Sequence, residues 1–230
     1  MFLQINQVGE TVTAVAAEAA TSVEKLSLIN LASKGGWIMI VLAIMLVYCI
    51  YLFIERYLAL NRALKDDSTF MNSIREYIFS GNIDSARTLA KNTSTPIARM
   101  IDKGLSRLGR PLNDIQTAIE NVGQLEVARL EKQIWLIATI AGLGPMIGFL
   151  GTVTGMVRAF FDMANAGNNI DIQILSSGIY EAMVTTVGGL IVGIIAYFFY
   201  NLLVARVNKV VLLLEDRTTE FMDLLNEPAK

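Results

Sequence analysis

The sequence predicts an all-α membrane protein with three transmembrane helices, long cytoplasmic helical extensions and close contacts to other helices. Three observations carry this. Three uncharged apolar stretches are each long enough to cross a bilayer core, which takes about 20 helical residues. Lysine and arginine gather on one side of them. Small residues line one face of the second and third stretches.

The stretches are Trp37 to Ile54, 18 residues; Ile134 to Val157, 24 residues; and Ala182 to Val204, 23 residues. The loop from Glu55 to Gln133 holds 12 lysines and arginines and the tail after Val204 holds 4, against 3 in the N-terminal arm and the loop from Arg158 to Tyr180 together. By the positive-inside rule the long loop and the tail are cytoplasmic, and the N-terminus lies on the opposite, periplasmic side. The predicted layout is a periplasmic arm over 1–36, transmembrane helices over 37–54, 134–157 and 178–204, a cytoplasmic helical domain over 55–133, a short periplasmic loop over 158–177, and a cytoplasmic C-terminal helix over 205–230.

The arm lacks the basic start and unbroken apolar core of a signal peptide. Over residues 9–30, Val12, Val15, Ala16, Ala19, Val23, Leu26 and Ile29 recur at helical spacing, which predicts an amphipathic helix on the outer membrane surface or, failing that, a mobile arm. Punctuation divides the long loop into helices: Asp67-Ser68, Asn82 and Thr95-Pro96 as starts, Ser80-Gly81 as a stop. From Pro111–Asn113 onward nothing but Gly123 interrupts a helical run into the second apolar stretch, so the spacing predicts one helix there. The third stretch likewise runs on through "ARVNKVVLLLEDRTTEFMDLLN" until Pro228.

Composition narrows the functions. The chain has no histidine and one cysteine, Cys49, so histidine-dependent catalysis and an intrachain disulfide are excluded and zinc sites are disfavoured. A net charge of −2 without a basic run gives no support for nucleic-acid binding. No carboxylate pair, nucleophile-base arrangement or phosphate loop suggests an enzyme, and neither a cofactor nor a metal is expected.

The small residues are the most informative pattern. Ala138, Ala141, Pro145, Gly148, Thr152 and Gly155 recur at alternating steps of three and four, one narrow stripe. Projected at about 100° per residue, Gly178, Glu181, Ala182, Thr185, Thr186, Gly188, Gly189 and Gly193 share one side of the third helix, while Met183, Val187, Leu190, Ile194 and Phe198 share the other. Pro145, Gly148, Gly155, Gly189 and Gly193 are therefore predicted to pack helices closely, leaving the bulky faces to membrane lipid.

Polar groups on those faces are candidates for lining an ion path: Thr152, Thr185, Thr186 and Glu181. Threonine hydroxyls also serve plain interhelical or i−4 hydrogen bonding. Glu181 sits a turn or two inside the outer end of its helix, so it is read either as an interface anchor or as the mouth of the path. A proton path needs a titratable carrier near the midplane, and this chain offers none. A carboxylate from another chain, enclosed by copies of this one, is the expected remedy.

The segments "GPMIGFLGTVTGMVRAF" and "GIYEAMVTTVGGLIVGIIAYFFYN", with "FIERYLAL" and "EVARLEKQIWLIATIAGLGP", resemble the MotA/TolQ/ExbB proton-channel family, most closely its ExbB members. The resemblance implies a pentameric ring around the single membrane helices of a dimer of ExbD-like partners, each carrying the proton-binding aspartate. It implies that Thr152 and Thr186 face that aspartate and that Glu181 is the family glutamate of the third helix. Thr185 and Thr154 depart from the usual pattern. It further implies a Gram-negative inner membrane, proton-motive force as the energy source, and delivery of work to a TonB-like protein for outer-membrane transport. A TolQ-like subunit of the Tol-Pal cell-envelope system and a structural scaffold are the alternatives.

Overall fold

The computed structural model describes residues 36–64, 68–165 and 172–226. The predicted arm helix, the Asp67 start and the Pro228 stop lie outside the described residues. Seven helices form among those described: α1 (Gly36–Ala63), α2 (Ser68–Phe79), α3 (Ile83–Asn92), α4 (Pro96–Leu105), α5 (Leu112–Glu131), α6 (Ile134–Asn165) and α7 (Ile172–Asn226). Three stretches, namely α1, α5 with α6, and α7, are long and apolar enough to cross a membrane.

Local chemistry explains the helix ends. The Asn82 side chain accepts from the Ser85 amide at 3.3 Å, capping α3. Thr95 does the same for Ala98 at 3.3 Å, with Pro96 in the first turn, where its missing N–H costs nothing. Gly81 closes the turn after α2 at φ +72°, a backbone region that glycine enters without steric cost.

The predicted unbroken helix into the second apolar stretch is not what forms. The chain breaks in a turn at Lys132 (φ −50°, ψ 130°) and Gln133, whose φ of +71° lies in the left-handed region. Neither residue is a helix breaker; the cause is remote in sequence. Arg56 donates through Nη2 to Gln133 Oε1 at 2.9 Å and through Nη1 to the Arg129 carbonyl at 3.5 Å. That carbonyl would accept from Gln133 in a continuous helix, so Arg56 supplies the donor that the break removes.

The apolar helices also overrun their predicted ends. Of the expected 158–177 loop, residues 158–165 belong to α6 and 172–177 to α7. Loss of hydropathy marks where a helix leaves hydrocarbon, not where its hydrogen bonding stops.

The chain divides into two compact units, one of Met1–Ala43 with Met146–Leu190, the other of Ile44–Pro145 with Ile191–Lys230. In the second, Ile74, Ile101, Ile119 and Phe221 are fully buried. Gly104 makes their packing possible: a methyl group there would stand 2.7 Å from both Ile119 Cδ1 and Phe221 Cε1. Burying a side chain the size of Phe221 contributes about 2–3 kcal/mol. The carboxylate of Glu126, 4% exposed, holds Arg99 at 2.5 Å and Arg129 at 2.6 Å, tying α4 to α5. Arg206 of α7 lies 3.8 Å above the Tyr57 ring centroid and donates to its hydroxyl at 2.8 Å.

Candidate functional site

Within the unit of Met1–Ala43 and Met146–Leu190, α6 and α7 approach until backbones touch. A methyl group on Gly148 would stand 2.9 Å from the Thr185 carbonyl oxygen and 3.0 Å from Gly189 Cα; one on Gly155 would stand 3.1 Å from Ala182 Cβ. Gly151 receives the Thr185 side chain, and Gly178 receives Ala159. In the other unit Gly193 faces Pro145, whose ring carbons a Cβ would meet at 2.7 Å. Without side chains at these positions, the helices reach van der Waals contact at each of them, the term that holds helices together where no hydrophobic force does.

The small side of α7 serves two neighbours. Gly189, Ala182 and Thr185 meet α6, whereas Gly188 meets Met39 Sδ of α1 at a distance that would be 2.8 Å from an added Cβ. Glu181 extends a carboxylate oxygen against Gly36 at the start of α1. A helical projection gives the angle of each residue and not which helix stands there, which is why one arc resolves into two contacts.

The threonines separate accordingly. Thr185 is buried, 2% exposed, and its hydroxyl donates to the Ala182 carbonyl at 2.7 Å, with the Gly148 carbonyl at 3.4 Å. Thr186 is half-buried and donates across the contact to the Gly148 carbonyl at 3.3 Å. Thr152, also half-buried, donates to the Phe149 carbonyl of its own helix at 2.6 Å. A hydroxyl has one proton and two lone pairs. With the proton committed to a helix carbonyl, Thr152 and Thr186 retain acceptor capacity, so each can receive a hydrogen bond from a protonated carboxyl group.

Glu181 is half-buried and lines a cleft of about 680 Å³ with Arg158, Asp162, Ser177 and Tyr180. Arg158 and Asp162 approach to 4.0 Å on the α6 side of this cleft. Among the described residues no cluster of three or more side chains stands ready to hold a metal.

Sequence reasoning missed Arg56, Gln133, Glu126 and Arg206. For Glu126 a signal existed in its i,i+3 spacing to Arg129, which marks a pair on one helix face but not that the face is covered.

Residues 92–216, more than half of the 230-residue chain, match the model of the MotA/TolQ/ExbB proton channel family. The chain belongs to this family. It is similar to the biopolymer transport protein ExbB of Aquifex aeolicus, 36% identical over 105 residues that cover 44% of this chain and 68% of the relative. It is similar too to an ExbB-like protein of Synechocystis sp., 27% identical over 175 residues covering 75% of this chain and 68% of the relative. The Tol-Pal system protein TolQ of Haemophilus influenzae is 38% identical over 85 residues, 37% of each chain. As a member of the MotA/TolQ/ExbB family the protein is a membrane protein, and the family is one of proton channels rather than of enzymes. The matched segment contains every threonine and glycine of the α6–α7 contact and leaves α1 outside.

Proposed function

We propose that this chain is the ExbB-like subunit of a proton-driven motor in the inner membrane. Copies of it, five by family likeness, enclose a dimer of ExbD-like single-helix partners, and the assembly passes work to a TonB-like protein that opens outer-membrane transporters. Its N-terminus is periplasmic and its C-terminus cytoplasmic. The observation that carries the reading is the pair of half-buried hydroxyls, Thr152 and Thr186, whose protons are held by helix carbonyls. They offer lone pairs to a protonated carboxyl group, and neither Ile134 to Val157 nor Ala182 to Val204 contains such a group.

A proton carried by the partner's aspartate is therefore stabilised in its neutral, donating form beside Thr152 and Thr186, then released on the opposite side. Thr185, Pro145, Gly148, Gly155, Gly189 and Gly193 hold the wall together, and Glu181 forms its mouth.

Two purified samples test the division of labour, both reconstituted in vesicles under a proton gradient. This chain alone should form a ring without proton flux; with the aspartate-bearing partner it should conduct. Flux through the chain alone would overturn the reading.

The match to a TolQ supports a second assignment, to a Tol-Pal-like system of the cell envelope. Deletion distinguishes them: lost uptake through outer-membrane transporters supports the first, lost envelope integrity with uptake intact supports the second.

A further inference from the structure

Beyond the ion path, α5 and α7 form a cleft of about 770 Å³ in the unit of Ile44–Pro145 and Ile191–Lys230. One face of each helix lines it. On α5, Gln116, Glu120, Gln124, Ala128 and Glu131 lie at steps of four and three; on α7, Val211, Glu215, Thr218 and Met222 do the same. Met100, Val127 and Leu214 floor it, and Gly123 leaves room for Met100, whose methyl carbon a Cβ would meet at 3.0 Å. The lining thus spans about three helical turns of α7, roughly 17 Å, and about four turns of α5.

Its charge is one-sided. Glu120, Glu131 and Glu215 line it, and among the described residues no lysine or arginine does. Gln116 donates to Glu120 at 2.8 Å, while Glu131 and Glu215 have no ion-pair partner among the described residues. Leu212, seven residues before Thr219 and so on the same side of α7, is 65% exposed. An apolar floor between two polar rims, with two glutamates on the α5 side, one on the α7 side and an exposed leucine at the edge, is the negative image of an amphipathic helix with cationic flanks.

We propose that this groove docks a short cationic amphipathic helix of another protein, about three turns long. Anionic lipid headgroups are repelled by the three glutamates, and a second copy of this chain is the competing occupant that the crosslinks distinguish. The groove and the threonines of the ion path share no residue, so the docking stands or falls independently of the proton reading.

Photo-crosslinking in membranes tests it on the full chain. Ala128 and Thr219 are replaced in turn by p-benzoyl-phenylalanine, and adducts are mapped by peptide mass. The expected adduct maps to a segment of a different protein bearing lysine or arginine on one face of a helix with leucine-like residues on the other. Combining E131Q with E215Q, which keeps side-chain size, should reduce its yield roughly fivefold, and the effect should weaken in high salt. E131K with E215K should abolish it while the oligomer keeps its size on native mass spectrometry. An adduct to a second copy of this chain, an adduct to lipid, a yield indifferent to these charges, or no adduct at either position would overturn the proposal.

Discussion

Thr186 donates its hydroxyl to the carbonyl oxygen of Gly148 at 3.3 Å, across the contact between α6 and α7. The bond exists because Gly148 has no side chain: its missing Cβ leaves the Thr186 Cα 3.2 Å from where that atom would be. Close backbone approach and a positioned hydroxyl are therefore one feature.

Replacing Gly148 with leucine should break it. The new side chain would enter the Thr185 carbonyl and Gly189 Cα, both within 3.0 Å of its Cβ, and both are backbone that cannot swing aside. A cost of at least about 3 kcal/mol is expected. Native mass spectrometry should show loss of the oligomer; an unchanged assembly would count against the packing account.

Gln133 occupies φ +71°, where a residue with a Cβ is strained by roughly 1–2 kcal/mol. Q133G relieves that strain and gives up the bond from Arg56, so it should leave the melting temperature of the assembled protein nearly unchanged. Q133V adds β-branching at the same φ and loses the same bond; it should destabilise by about 2 kcal/mol relative to Q133G. Equal melting temperatures for the two would contradict the turn.

Glu126 is the buried member of a three-residue ion network. E126A leaves Arg99 and Arg129 without their shared carboxylate and should cost about 2 kcal/mol, less than a fully buried pair because both arginines are partly exposed. Urea unfolding of the solubilised complex measures it. A loss below about 0.5 kcal/mol would show that the network is decorative.

Glu181 separates anchor from mouth. E181Q keeps shape and removes charge. As part of the proton path it should lower flux in reconstituted vesicles with the thermal stability of the ring unchanged. As an anchor it should lower stability instead.

Much of this was legible from residue order. Absence of charge over 18 or more residues marks a membrane helix whatever packs against it, and Asn82 and Thr95 cap helices through atoms within three residues. The small faces were legible as faces. What stayed hidden depends on partners distant in sequence. Lys132 and Gln133 suit a helix; they turn because Arg56, 77 residues before Gln133, takes up a carbonyl and a carboxamide there. Thr185 and Thr186 are adjacent and chemically identical. Only the position of α6 decides that one is enclosed against Gly151 and the other half-exposed beside Gly148.

Proton flux through the chain reconstituted with the proposed aspartate-bearing partner tests the central claim most directly when Thr186 is valine. The variant keeps volume and loses the acceptor, while the bond to Gly148 that it also loses is worth about 0.6 kcal/mol in a membrane, too little to undo assembly. The account predicts an intact ring whose flux falls at least about tenfold, as does that of T152V, since one hydrogen bond to a moving proton is worth roughly 1.4 kcal/mol. An intact ring with full flux in both variants would contradict it.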